Sequence, residues 1–186
     1  MILSDKSIRK LMLRNLLIEN PIDIEKSLQP ASYDITLGTQ FLVPVSNTGG
    51  SDMIDLKKEL EYKEIPVRTS PNGDKYVIIP AKSFALAVTN EILNIPNGFT
   101  AFVEGRSSVG RAGLIIETAG LIDAGFRGTI TLELFNTTNF DMKIYPGMRI
   151  GQIAFHTNDD DSESVYNGKY QGQMDVTGSR INKDFK

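Results

Sequence analysis

Short runs of β-branched and aromatic residues, each cut off by a turn signal, recur from residue 33 to residue 155 and limit what this chain can fold into. Tyr33-Asp34-Ile35-Thr36-Leu37, Phe41-Leu42-Val43, Tyr76-Val77-Ile78-Ile79, Phe84-Ala85-Leu86-Ala87-Val88, Thr129 to Phe135 and Ile150 to Phe155 are the runs. Asn47-Thr48-Gly49-Gly50, Pro71-Asn72-Gly73-Asp74, Pro96-Asn97-Gly98 and Tyr145-Pro146-Gly147 are the interruptions. Strands this short and this regularly punctuated predict an all-β sandwich, jelly roll or barrel. One segment breaks the pattern. Ser4 and Asp5 read as a helix cap, and Ile8, Leu11, Met12 and Leu16 fall on one helical face, predicting a short N-terminal helix over 5–16 that ends before Asn20-Pro21. At 186 residues the chain is read as one domain, 1–186, large enough to bury its own core.

Composition excludes several chemistries. The net charge of −3 leaves no global basic field, so nucleic acid is not an expected partner. There is no cysteine, which removes disulfides and every thiolate-based zinc site, and the zinc deaminases need such ligands. His156 is the sole histidine and lies in the apolar run Ile153-Ala154-Phe155-His156, where it reads as a strand-end residue. Asp159-Asp160-Asp161 reads as a solvated loop. No run approaches the roughly 18 apolar residues of a membrane span. Met1 to Lys6 lacks the basic start and long apolar core of a signal peptide, so the expectation is a cytoplasmic protein with no membrane partner.

The chemistry concentrates in one stretch. Glu104-Gly105-Arg106-Ser107-Ser108-Val109-Gly110-Arg111 places two arginines and two serine hydroxyls between glycines, a donor cluster suited to polyphosphate. The bland alternative is a strand end making surface ion pairs. Thr118-Ala119-Gly120 to Asp123-Ala124-Gly125 reads as a tight hairpin whose backbone faces the edge of a base, with Phe126 placed to pack on a sugar. Glu133 alternates with Leu132 and Leu134 and so points opposite to them. On an exposed face it is unremarkable; lining a pocket, it is a candidate base. The polar stretch from Ser162 to Lys186 cannot build a core and reads as a disordered tail or as an arm that orders on a ligand or a neighbouring subunit.

In their order, these blocks resemble the dCTP deaminase family, which shares a superfamily with the trimeric dUTPases. Leu3-Ser4-Asp5 with Ile8 and Gln29-Pro30-Ala31-Ser32-Tyr33-Asp34 to Leu37-Gly38 are similar to the family's N-terminal blocks. Gly105-Arg106-Ser107-Ser108 to Arg111, Thr118 to Glu133, and Gly168-Lys169-Tyr170-Gln171-Gly172-Gln173 to Ser179-Arg180 match its later ones, so the resemblance covers nearly the whole chain.

The resemblance implies a distorted jelly roll of the dUTPase-like β-clip type, assembled as a homotrimer with active sites at subunit interfaces. It implies zinc-free deamination of dCTP to dUTP and ammonia, in which Glu133 activates the attacking water and returns its proton to the ammonia. Ser107, Arg111 and the backbone carbonyl of Ala119 hold that water and the base, and Arg106 and Ser108 bind the triphosphate. Thr118 belongs to the base-reading stretch. Tyr166, Lys169 and Gln173 match positions of a C-terminal closing arm, here 162–186. Magnesium accompanies the triphosphate, through phosphate and water oxygens.

Ala119-Gly120-Leu121-Ile122-Asp123-Ala124-Gly125-Phe126 resembles the version in bifunctional members, which take dCTP to dUMP, and in dUTPases. There the residue matching Asp123 orients a water toward the α-phosphate and the one matching Phe126 stacks on deoxyribose. The stretch Gly113 to Thr118 is one residue shorter than in the deaminases this chain resembles and lacks the family's histidine, and the resulting spacing from Arg106 to Asp123 is closer to that of dUTPases. Glu133 points the other way, because dUTPases usually carry an apolar residue at that position. The expectation is therefore a dCTP deaminase, with onward hydrolysis to dUMP by the same site as a second expectation; a dUTP diphosphatase is the alternative, and a non-enzymatic nucleotide sensor the outsider.

Overall fold

The computed structural model describes residues 1–19, 21–49, 52–117 and 120–185. It opens with helix α1 (Asp5–Met12), strand β1 (Leu17–Glu19), helix α2 (Ile24–Ser27), β2 (Leu28–Gln29), the long β3 (Ser32–Val45), β4 (Glu61–Glu64), β5 (Arg68–Thr69) and β6 (Lys75–Ile79). There follow β7 (Phe84–Thr89), β8 (Ile92–Asn94), β9 (Phe99–Gly105), the short helix α3 (Ser107–Arg111), β10 (Leu114–Glu117), β11 (Leu121–Ile122) and β12 (Arg127–Gly128). The last elements are β13 (Thr131–Asn136), β14 (Met142–Ile144), β15 (Arg149–Thr157) and a 3-10 turn at Ile181–Phe185. The expected all-β, distorted jelly-roll architecture with a short N-terminal helix is what the chain adopts.

The helix is shorter than the expected 5–16. Ile8 and Met12, one turn apart, are buried and fix its inward face. Ser4 occupies the cap position, but only its carbonyl works there, accepting from the Ile8 N–H at 2.9 Å; the hydroxyl makes no capping bond. Asn15 takes a left-handed backbone (φ 54°), a conformation that ends helices. Release from the helix lets Leu17 and Ile18 become completely buried in β1, opposite Asn94 and Leu93 of β8.

The main sheet runs β10-β13-β7-β3-β15-β9-β11, with β2 and β4 also on β3, and every pairing in it is antiparallel. Smaller sheets, β1-β8-β12 and β14-β6-β5, close the body. Residues 33–38 of β3 are buried on both faces, so the alternating Asp34 and Thr36 are buried as well and are met by charged partners, Asp34 by Arg106 and Arg149 and Thr36 by Glu91. Between Leu37 and Phe41 the β3–β7 register shifts. Gly38 sits in that irregularity, where an added Cβ would stand 2.8 Å from the Val88 carbonyl oxygen, so the two backbones can approach only over a glycine.

Two buried polar side chains hold the frame. Glu91 is fully buried and accepts from the Thr36 N–H and hydroxyl, both at 2.9 Å; burial pushes its pKa up. Asn136, also fully buried, ends β13. Its amide nitrogen reaches the carbonyls of Ile79, Pro80 and Phe140 at 3.0, 3.0 and 2.8 Å, and its oxygen accepts from the Thr138 N–H and hydroxyl at 3.0 and 2.8 Å. Truncation orphans several buried groups together. Asn136→Ala is expected to cost about 3 kcal/mol in urea unfolding, and a loss below ~1 kcal/mol would show that the clamp is dispensable.

Candidate active site

On β13, Leu132 and Leu134 are fully buried while Thr131, Glu133 and Phe135 face the other way. That second face forms part of a cavity of about 530 Å³. Glu133, Asp123, Phe126, Tyr166 and Gln173, all singled out in the sequence, line it together. The apolar side of the wall comes from Leu86 of β7, from Ile54, Leu56 and Leu60 in the loop before β4, and from Ile122 and Ile130. No Lys, Arg or His is part of this lining among the described residues.

Glu133 is half-buried, and desolvation holds its pKa above the ordinary glutamate value, with a smaller push from the negative charge of Glu117 across the strand pair. The protonated form is thus favoured in the folded protein. Its stabilising share is complete below the unfolded glutamate pKa and is lost as pH climbs through the raised one. A carboxyl in this position can take a proton from water and give it back. Asp123, by contrast, is exposed to the cavity. Phe126 is only 6% exposed and meets the Tyr166 ring edge-on at 5.8 Å, so most of its surface is already packed within the chain.

Among the described residues of the expected hairpin, Gly120 to Gly125, no strand pairs with another within the stretch. Leu121 and Ile122 pair with β9, and Arg127 and Gly128 pair with β8, because each finds an open strand edge. Thr118 and Ala119 lie outside the described residues. The phosphate cluster is likewise not a bare loop: Ser107 to Arg111 wind into α3, anchored by the buried Val109, with Ser107, Ser108 and Arg111 exposed. None of these four donors, Arg106 included, lines the cavity.

Arg106 is instead tied down. Asp34, 2% exposed, receives the Arg149 guanidinium at 3.1 Å and that of Arg106 at 3.5 Å. Two cations on one buried carboxylate leave a surplus positive charge beside Ser107 and Ser108. The sequence contained the signal, an acid inside the apolar run Tyr33 to Leu37, but nothing in it named the partner arginines. Lys169 also lies outside the cavity wall, its ammonium on Asp184.

The described part of the segment from Ser162 to Phe185 lies against its own chain. The Tyr166 N–H donates to the Ala124 carbonyl at 2.8 Å; the Gln171 side chain accepts from the Arg127 N–H at 2.9 Å and donates to the Gly125 carbonyl at 2.8 Å. Gln173 exchanges bonds with Thr129, and Thr177 N–H reaches the Thr131 hydroxyl at 3.1 Å. In the cavity wall Tyr62 accepts from the Ser179 N–H at 2.8 Å, and beyond it Gln40 bonds both Asp175 and Val176. Tyr62 and Tyr170 in the cavity wall were not foreseen. The only hint of Tyr62 was an aromatic residue amid the charges of Glu61 to Glu64.

Residues 2–158 match the dCTP deaminase-like family. A Sulfurihydrogenibium protein described as dCTP deaminase, dUMP-forming, is 46% identical over 97% of this chain and 97% of its own length. An Aquifex aeolicus protein of the same description is 45% identical over 99% of this chain and 97% of its own. Among solved structures, the 2′-deoxycytidine 5′-triphosphate deaminase of Agrobacterium tumefaciens superposes with a TM-score of 0.62 at 25% identity, covering 84% of this chain and 48% of that one. The chain belongs to the dCTP deaminase-like family, a family of enzymes.

Gly178 packs against the Tyr62 ring, with no room for a Cβ. Gly178→Ala is expected to unseat residues 175–180, seen as several-fold faster amide hydrogen exchange there with β13 unchanged. Equal protection in both proteins would show that Tyr62 does not hold this segment.

Proposed function

We propose that this chain deaminates dCTP without zinc and carries the product on to dUMP and diphosphate. The reading rests on one observation: Glu133 and Asp123 share a cavity but differ in solvation, one half-buried and the other exposed. Glu133 takes a proton from a water that adds to the amino-bearing carbon of the cytosine ring. A C–O bond forms, the C–N bond breaks, and the proton returns to the departing ammonia. Asp123 orients a second water toward the α-phosphorus, where a P–O bond forms as diphosphate leaves. The absence of cysteine and the single histidine in the sequence support a route free of a thiolate-held zinc.

The ring end of the site is apolar and acidic, whereas triphosphate needs cations. Arg111, Ser107 and Ser108 are exposed on α3, away from their own chain's cavity, so a neighbouring copy delivers them in a homotrimer. An exposed apolar row, Ile115, Phe135 and Phe84, crosses β10, β13 and β7 and supports such an interface. Magnesium arrives with the triphosphate and neutralises its charge; Asp123 is the carboxylate free in the cavity to approach it through water, which suits a cation that keeps much of its hydration. The segment 162–186 serves as the closing arm, with Tyr166 and Gln173 over the nucleotide, Thr118 and Ala119 reading the base, and Lys169 released from Asp184 to reach phosphate. The enzyme works in the cytoplasm.

Purified protein incubated with dCTP or dUTP and magnesium, with products separated by chromatography, tests this directly. dUMP and ammonia from dCTP are expected. dUMP from dUTP alone identifies a diphosphatase, and binding without turnover a sensor; either outcome overturns the deaminase reading. Glu133→Gln is expected to cut ammonia release by at least about a thousandfold while nucleotide binding changes little. Asp123→Asn is expected to stop dUMP formation and leave ammonia release from dCTP measurable; an unchanged dUMP rate would remove Asp123 from the reaction.

A further inference from the structure

Glu117 stands directly opposite Glu133 in the β10–β13 register. Opposed residues of an antiparallel pair project from the same face, with Cβ atoms about 5 Å apart, and like charges so placed repel. Glu117 is exposed and is not part of the cavity wall, so it has no surface to offer a substrate there. On the other flank of β13, Leu86 is opposite Glu133, and Phe84 and Val88 are the next residues on that face of β7. Around the cavity the titratable groups are Asp123, Tyr62, Tyr166 and Tyr170, with no cation among the described lining residues. Glu133 therefore meets an apolar neighbour on one strand and a like charge on the other; its own backbone N–H is the donor it has, and no cation among the described lining residues offsets the charge.

We propose that Glu117 is a positioning residue for deamination, acting only through Glu133: its charge across the strand pair turns the Glu133 carboxylate into the cavity and favours the protonated form. The same side chain that activates the water is thereby kept ready to return the proton to ammonia. The proposal rests on the deaminase reading of the site. The direction of the Glu133 pKa agrees: burial raises it most, the hydrogen bond from its own backbone opposes this, and the charge of Glu117 adds a smaller upward push.

The test is a ¹³C NMR titration of the Glu133 carboxyl in the full-length protein without nucleotide, the signal assigned by its loss in Glu133→Gln. Glu117→Gln is expected to lower the Glu133 midpoint by about half a pH unit, Glu117→Asp to change it less, and Glu117→Lys to lower it further. The acid limb of kcat/KM for ammonia release should move with the midpoint, while KM for dCTP stays constant. Should Glu117→Gln fail to fold, the Asp and Lys variants still define the order. A midpoint indifferent to the charge at position 117, or a change confined to KM, overturns the proposal. If the midpoint follows the charge while Glu133→Gln still releases ammonia, the coupling stands as chemistry but the positioning role and the site reading both fall.

Discussion

The alternation of β13 is the constraint from which the rest of the site follows. In a strand, neighbouring side chains cannot share a face, so burying Leu132 and Leu134 obliges Glu133 to project into the cavity. A slip of one residue would place the carboxyl in the core and two leucines in the cavity. Asn136 guards against that slip, because its five contacts with the 79–80 and 138–140 segments are possible at one register only. The position of the candidate base is thus set by hydrogen bonds three residues away and by leucines that never touch a substrate.

Charge is distributed to match. Acids that serve the frame are satisfied where they are buried: Asp34 between two guanidiniums, Glu91 on the Thr36 N–H and hydroxyl. Glu133 has no cation beside it in its cavity among the described residues, and burial raises its pKa as it does that of Glu91. A carboxylate held by a nearby cation would be a poor proton carrier, since its charged form would be too stable. The cations instead collect around Asp34 and along α3, beyond the cavity wall. One surface is thus cationic and the other apolar and acidic, a division that matches the phosphate and base ends of the proposed nucleotide substrate.

Much of this was legible in the sequence, for reasons particular residues make plain. Turn signals and β-branched runs gave the all-β class because they act locally. The period of two exposed Glu133, and the glycine-spaced Arg106 to Arg111 block exposed the donor cluster. The helix boundary was missed because Asn15, a residue tolerated inside many helices, takes the left-handed backbone only so that Leu17 and Ile18 can be buried against β8. The expected hairpin gives way for a similar reason: Leu121-Ile122 and Arg127-Gly128 find their partners on other strands, β9 and β8. The roles of Tyr62 and Arg149 depend on contacts spanning 117 and 115 residues, to Ser179 and Asp34, and no local pattern encodes these.

The C-terminal segment shows how a stretch too polar to form a core can still have a defined place. Its apolar contribution is small, chiefly the Tyr166 ring on Phe126, and its hold is otherwise a series of hydrogen bonds, among them those at Ala124, Gly125, Arg127, Thr129, Thr131, Tyr62 and Gln40. Each such bond contributes about 1 kcal/mol net, against an ordering cost of similar size for every residue fixed. Attachment of this kind opens at a small fraction of the free energy needed to unfold the sheets. The cavity therefore has one wall, β13 with its flanking strands, held by the core, and another that can release without disturbing it. A polar sequence is what makes the second wall separable: apolar residues in place of Gln171, Gln173 and Thr177 would bind it more tightly and slow exchange of anything enclosed between the two.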